Sequence, residues 1–334
     1  MSRQPVPSPV YDTYWRFAAE RQEVYFRRLT DPDGPWTTDP IIGNFRFTNA
    51  YRAADRVSQY LIREVQYRND RSQEPDEVFF RTMLFKIFNK IETWEIIEHE
   101  LGVISWQSWN RSTAESVLDA HYSRGGRIYS PAYIMPSPVF GHVRKHRNHI
   151  ALIESMMEQG LPHQISTSNS LLDAYESILS YPSIGPFLAY QYAIDLNYSN
   201  LINFDENDFV VAGPGALDGI AKCFFDTGSM SAADIIHMMV TRQDDEFNRL
   251  GIDFRNLFGR KLHAIDCQNL FCEISKYARV AHPDTIGVSG RTRIKQQYRN
   301  HASMPDNPLF PPKWGIKVDD RFLRLKLGQG ELEF

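Results

Sequence analysis

Cysteine is scarce. The chain has 3 in 334 residues, Cys223, Cys267 and Cys272. An odd, small number in so long a chain excludes a disulfide framework and fits reduced thiols. Cys267 and Cys272 stand five apart, and no further ligands follow at zinc or iron–sulfur spacing, so they read as packing residues. Positive charge is not in surplus: 37 Lys and Arg face 41 Asp and Glu, for a formal charge of −4. That argues against broad electrostatic binding of nucleic acid but leaves room for a local basic groove. No run approaches the ~20 apolar residues of a membrane helix. The opening Met-Ser-Arg-Gln-Pro-Val-Pro lacks the apolar segment of a secretory signal. No membrane contact and an intracellular place are therefore expected. Internal repeats, low-complexity tracts and a legible Ser-His-Asp order are all missing. Gly213-Pro-Gly lacks the Gly-Lys-Ser/Thr ending of a nucleotide-binding P-loop, which sets kinase chemistry aside for these residues.

What is present is a helical pattern over a large apolar content. Hydrophobic residues make up 42% and aromatics 13%, enough for a substantial core. Apolar residues recur at helical spacing in Tyr11–Leu29, in a stretch running to about Tyr67 through Ala54, Val57, Leu61 and Val65, and in Asp76–Ile91. In the last of these, Lys86 and Lys90 are expected to share one side. Ser112-Thr-Ala-Glu reads as a capping box with a helix from Thr113, and Ser231 with Asp234 caps another. A further helix spans Asp266–Val280. Strand signals are few, so the fold class is mainly α. Residues 1–9 are Pro-rich and expected to fray. Residues 10–300 form the helical domain, and residues 301–334 a Pro-rich linker and tail in which Phe322-Leu-Arg-Leu-Lys-Leu alternates like a short strand.

Tyr181-Pro-Ser-Ile-Gly-Pro-Phe-Leu-Ala-Tyr-Gln reads as a tight hairpin between two helices. Leu171, Leu172, Tyr175, Ile178 and Leu179 mark one face of the helix leading in, and Pro182 stops it. Gly185 is expected to take a positive φ, and Pro186 to open the next helix. This is the layout of a helix-hairpin-helix, in which backbone N–H groups of Ser183, Ile184 and Gly185 would grip a phosphate. An ordinary αα-turn accounts for the same residues. A second glycine–proline turn, Gly213-Pro-Gly215, enters another helix and offers Gly213 and Gly215 for the same purpose.

Tyr122 to Pro138 forms a long irregular connection containing Arg124, Arg127, Tyr129 and Tyr133, followed by the basic run His142-Val-Arg-Lys-His-Arg-Asn-His. Basic residues with aromatics upstream could track a nucleic-acid backbone. A solvated helix start is the plainer reading.

Several separated motifs carry a resemblance over about residues 10–300. They are Tyr14-Trp-Arg-Phe with Arg21-Gln and Arg27-Arg-Leu, Asn44-Phe-Arg-Phe-Thr-Asn-Ala-Tyr-Arg, Met83-Leu-Phe-Lys-Ile-Phe-Asn-Lys, Ala132-Tyr-Ile-Met-Pro, the hairpin, Asp208-Phe-Val-Val-Ala-Gly-Pro-Gly-Ala and Asp266-Cys-Gln-Asn-Leu-Phe-Cys-Glu-Ile-Ser-Lys-Tyr. The chain resembles the α-glutamyl/putrescinyl thymine pyrophosphorylase family, which overlaps the 5-hydroxymethyluracil DNA kinase helical domain and is thought to be related to helix-hairpin-helix DNA glycosylases. The resemblance implies a helical glycosylase-like architecture and a role in thymine hypermodification of DNA. An amine or amino acid co-substrate would displace pyrophosphate from pyrophosphorylated 5-hydroxymethyluracil, with DNA and a 5-hydroxymethyluracil DNA kinase as partners. Action on DNA would place the protein in the cytoplasm or nucleoid, or in a eukaryotic nucleus.

Such chemistry needs stacking surfaces for an extruded base, cations for the departing pyrophosphate and an acceptor for the amine's proton. Phe45–Tyr51 and Tyr129–Tyr133 are the stacking candidates. Arg46 and Arg52 are candidates for pyrophosphate, and Lys86, Lys276 and Glu273 for catalysis, with Glu273 as the base. Glu273 and Lys276 equally make an ordinary i,i+3 helix pair. No protein metal ligand is assigned, and a divalent ion assisting pyrophosphate departure is left open. The Asp that glycosylases of this superfamily carry past the hairpin has no equivalent in Val210-Val-Ala-Gly-Pro-Gly-Ala, although Asp205, Glu206, Asp208 and Asp218 flank it. This weakens base excision. A non-catalytic module that presents DNA to a separate kinase, and a base-excising glycosylase, stand as the alternatives.

Overall fold

The computed structural model describes residues 3–299 and 305–324. Within them lie thirteen α-helices and one two-stranded sheet. Strand β1 (Val6–Pro7) is followed by α1 (Pro9–Thr30), α2 (Pro40–Asn44), α3 (Arg56–Tyr60), α4 (Pro75–Phe88), α5 (Ile91–Leu101), α6 (Arg111–Ser123) and α7 (Lys145–Glu158). Then come α8 (Leu161–Ser166), α9 (Leu171–Leu179), α10 (Pro186–Asn197), α11 (Pro214–Cys223), β2 (Phe224–Asp226), α12 (Ala232–Arg249) and α13 (Ala264–Ala281). The mainly helical fold class agrees with the sequence reading. The chain divides into two compact units, one made of residues 1–55 and 212–334, the other of residues 56–211.

The first unit is built on α1, α11 and α13. Tyr14 and Trp15 of α1 are fully buried and meet Phe271 of α13 and Phe247 of α12 at ring-centroid distances of 4.8 and 5.1 Å. α11 and α13 approach so closely that a Cβ on Gly219 would lie 1.9 Å from the Phe271 carbonyl oxygen. Only glycine permits that contact. The segment expected to fray is instead tied down. Val6 pairs with Asp226 and Pro7 with Phe224, and Ser8 caps α1 by accepting from the Val10 N–H at 3.1 Å. Part of the expected linker packs in as well: Phe322 lies 5.1 Å from Phe26, and Phe310 lies 6.1 Å from Phe258. Phe322 closes a 3₁₀ turn, Asp320–Phe322, rather than a strand. The rest of that alternating run, from Leu325, lies outside the described residues.

The second unit is organised around α4, which is buried on nearly every face through Phe79, Phe80, Met83, Leu84, Phe85, Ile87 and Phe88. A helix apolar all round belongs in the centre of its unit. The helix expected to reach Tyr67 is broken into a 3₁₀ turn (Arg52–Ala54), α3 and a π-helical turn (Leu61–Gln66). The break comes at Asp55, whose carboxylate accepts the Asn49 N–H at 2.7 Å and holds the backbone out of helical geometry. Lys90 does not share a side with Lys86. Asn89 ends α4 in the left-handed conformation, and Lys90 begins the next helix as its cap. α6 also starts earlier than expected, because Asn110 rather than Ser112 accepts the Thr113 N–H.

The hairpin forms as α9, a turn and α10, with Pro186 at the first helical position. One detail is reversed. Ser183, not Gly185, takes the positive φ, at +63°, while Gly185 sits extended at φ −86° as the N-cap of α10. Pro182 occupies the second position of the turn closed by Ile184 N–H to Tyr181 C=O at 3.3 Å. That places the left-handed residue third, at Ser183. Replacing Gly219 with alanine forces α11 and α13 apart and should cost about 1–3 kcal/mol, read as a lower urea midpoint. Gly215→Ala should cost less, because its Cβ meets a side-chain atom, Cys272 Sγ, at 3.0 Å.

Candidate functional site

Each unit holds its own cluster of charged side chains. In the second unit, Lys86 is carried on the last turn of α4 and is 2% exposed. Its Nζ donates to Asn89 Oδ1 at 2.7 Å and lies 3.2 Å from Asp195 Oδ2. Asp195, on α10, is 0% exposed. Asn89 serves twice, because the residue that ends α4 also holds the lysine. One turn earlier on α10, Gln191 accepts from the Tyr133 hydroxyl at 3.4 Å, and the Tyr133 ring stands 5.8 Å from Lys86 Nζ. Burial, and then the negative charge of Asp195, push the Tyr192 hydroxyl pKa up. This buried ion pair joins α4 to α10, and removing one partner would leave the other charge uncompensated. Lys86, expected as catalytic, has its ammonium committed inside the unit.

The irregular connection is pinned to the same unit. Tyr129 OH donates to His149 Nδ1 at 2.6 Å, and the opposite ring nitrogen donates to the Pro136 carbonyl at 2.8 Å. A carbonyl only accepts, so Nε2 carries the proton and the ring is neutral. Burial holds the His149 pKa down at about 4, against the Pro136 hydrogen bond and with the help of nearby Lys145.

The first unit gathers four of the remaining candidates on α13 and the segment before α3. Glu273 Oε2 lies 2.6 Å from Lys276 Nζ and accepts the Thr48 N–H at 3.1 Å. Asp266 accepts the Arg52 N–H at 2.8 Å, and Asp39 accepts from the Tyr277 hydroxyl at 2.7 Å. These three contacts strap residues 39–52 onto α13. Arg52 is buried, Arg46 is exposed, and Lys276 keeps part of its surface in water. Phe47 and Tyr51, expected as stacking surfaces, are core residues. Phe47 packs 5.2 Å from Phe17, and the Tyr51 hydroxyl is spent on the Arg260 carbonyl at 2.7 Å. Tyr133 remains half-exposed in the other unit.

Two residues of this cluster were not picked out by sequence reasoning as chemical groups. Arg21 of α1 is 8% exposed, donates to the Phe47 carbonyl at 3.4 Å and leaves Nη1 without an acceptor. Burial lowers its pKa to about 10, against the nearby charge of Asp55. Asp55 is itself raised to about 7 by burial, against the Asn49 N–H and Arg21. Asp266 is likewise raised to about 6 by burial. Arg21-Gln stood inside a recognised motif, but nothing in its spacing marks it as buried.

Of the backbone candidates, Ser183, Ile184 and Gly185 lie in the second unit, and Gly213 and Gly215 in the first. The Ile184 N–H is used within its turn, so it is not the phosphate donor expected. Gly213 is the N-cap of α11, and Gly215 packs against Cys272. No three His, Cys, Asp or Glu side chains converge as a metal site among the described residues. Nor is any helix among them long and apolar enough to cross a membrane.

The family model described as 5-hmdU DNA kinase, helical domain, matches residues 8–287. The chain belongs to that family. It is 26% identical over 286 residues to a protein of Bacillus phage SP10 called 5-hmdU DNA kinase. That match covers 80% of this chain and 45% of the phage protein, so the chain spans less than half the length of this relative. No solved structure matches the chain.

Two outcomes follow from the geometry of the second unit. Lys86→Met strands Asp195 in the interior and should cost about 3–5 kcal/mol, whereas Lys86→Met with Asp195→Leu should recover most of it; urea unfolding of both variants decides. His149, with its folded pKa lowered to about 4, contributes stability that is present above about pH 6.5 and is lost as pH falls toward 4, because only the unfolded chain takes up the proton. Subtracting the pH–stability curve of His149→Gln from that of the wild type should isolate this slope.

Proposed function

We propose that the protein acts in thymine hypermodification of DNA, joining an amine or amino acid to pyrophosphorylated 5-hydroxymethyluracil with release of pyrophosphate. The amine nitrogen forms a bond to the exocyclic methylene carbon, the bond from that carbon to the pyrophosphate oxygen breaks, and the amine gives up a proton. The observation that carries this reading is the cluster in the first unit. There, Asp55, whose carboxyl pKa burial raises to about 7, stands near buried Arg21, which has an unused Nη1, on a chain of the 5-hmdU DNA kinase helical-domain family.

A base with a pKa near the working pH is matched to taking a proton from an amine. Asp55 fits that role better than Glu273, whose carboxylate is paired with the Lys276 ammonium at 2.6 Å, although Asp55 also accepts the Asn49 N–H. Arg21, with an unused Nη1, and exposed Arg46 supply cationic donors for the leaving group. In the second unit the hairpin supplies the DNA contact. The first-turn amides of α10 form an anion-binding end, and a Cβ on Gly185 would meet nothing within 4 Å, so the turn is open to a phosphate. Lys86 is then a positioning residue that holds α10, and with it the hairpin, against α4.

A second reading has support of its own. The SP10 relative is called a kinase and the match covers 45% of it, which suits a helical module that presents modified DNA to kinase chemistry located elsewhere.

The deciding experiment incubates the protein with a duplex carrying pyrophosphorylated 5-hydroxymethyluracil and a panel of amines and amino acids, then weighs the digested nucleosides. A thymidine adduct with released pyrophosphate supports the transferase. Bound but unchanged duplex moves the reading to the presenting module, and an abasic product moves it to base excision. Asp55→Asn, whose amide oxygen can still accept the Asn49 N–H, should lower the rate about 100-fold while DNA affinity holds. The wild-type rate should climb as pH rises through about 7 and level off above it, since Asp55 accepts a proton only when ionised.

A further inference from the structure

From residue 120 to residue 153 the chain has no Asp or Glu and carries Arg124, Arg127, Arg144, Lys145 and Arg147. In a chain of net charge −4 this stretch is a local excess of basic residues, although Asp119, Glu115 and Glu154 pair with His146, Arg147 and Arg111 beside it. Arg124, Arg127 and Arg144 are exposed, whereas Arg147 is turned back onto Asp119 and Glu115.

Three aliphatic side chains project from the middle of this stretch. Ile134 is 89% exposed, Val139 93% and Val143 102%. One exposed aliphatic residue is ordinary, but three on one short loop are not. The loop that presents them is held from below. The buried Asn148 side chain accepts the N–H groups of Phe140 and His142, both at 3.1 Å, and donates to the His142 carbonyl at 2.8 Å. His149 holds Pro136. Met135 is buried and receives the Tyr192 hydroxyl at 3.6 Å. Gly141 makes the bend at φ +83°. The loop is thus preorganised, with its polar anchors inward and its apolar tips outward.

We propose that this loop is a wedge that enters the base stack of a DNA duplex, with Val139 and Val143 as the inserting side chains and Arg124, Arg127 and Arg144 on the flanking phosphates. Exposed apolar tips on a clamped loop, flanked in sequence by exposed arginines, suit a partner with an anionic rim and an apolar interior, and stacked base pairs between two phosphate backbones are such a partner. The tip displaces stacking partners and so frees a base for an active site. The inference rests on the reading that this chain engages DNA, and the experiment separates the two.

The full chain is titrated onto duplexes with 2-aminopurine at successive positions, following anisotropy for binding and 2-aminopurine emission for unstacking. The same titration is run with Val139→Ser/Val143→Ser. Both side chains are free of packing, so the variant should keep the wild-type thermal midpoint. The wedge predicts a rise in emission with the wild type that falls about tenfold in the variant, with a much smaller loss of affinity. Equal emission with both proteins overturns the wedge and leaves DNA binding standing. No binding by either protein overturns both readings. Sedimentation showing a wild-type dimer that the double substitution dissolves also overturns the wedge, by assigning the loop to a second copy of the chain.

Discussion

Lys86 and Asp195 are an ammonium and a carboxylate held out of water 3.2 Å apart, and the second unit depends on that pairing. Removing either charge leaves the other buried and unpaired, so the pair couples α4 to α10. α10 begins at the hairpin, which fixes where the Ser183–Gly185 turn is presented. Tyr133, Gln191 and Asn89 gather around the same pair, and that ties the irregular connection to α4 and α10. The electrostatic requirement of two buried groups thereby becomes a geometric requirement on the turn and the connection that pack beside them.

The first unit reaches a comparable rigidity by a different route. Gly219 lets α11 close onto α13 without a side chain between them. α13 then acts as a rail to which the segment before α3 is fastened through Glu273, Asp266 and Tyr277. Those carboxylates accept backbone N–H groups, so their first duty is architectural. Buried Arg21 and half-buried Asp55 stand beside this fastened segment, and loss of water shifts each toward its neutral form.

The fold class was legible because apolar residues at helical spacing report burial directly, as in Phe80, Met83 and Ile87 of α4. The hairpin was legible because Pro and Gly have few conformational roles. The choice of Ser183 over Gly185 for the left-handed position was not, since it depends on which residues close the turn. Among chemical groups, the Glu273–Lys276 pair could be read from i,i+3 spacing. Asp195 could not be matched to Lys86, because the partners are separated by most of the second unit's length and only packing brings them together. Asp55 and Arg21 were passed over for a related reason: a carboxylate's pKa depends on its burial, and no local pattern reports that. Phe47 and Tyr51 show the converse, aromatic residues in a recognised motif that serve the core.

The pairing of Val6 with Asp226 and Pro7 with Phe224 gives the chain an order of assembly. The second unit, residues 56–211, is continuous and can complete its own contacts as soon as it has been synthesised. The first unit waits for residues that emerge only afterwards, and must keep α1, with its buried Tyr14 and Trp15, from finding other partners in the meantime. Its closure joins segments more than two hundred residues apart in sequence, a late and entropically expensive step. Folding of the continuous unit, which runs from Arg56 to Val211, shortens that search by condensing the intervening chain.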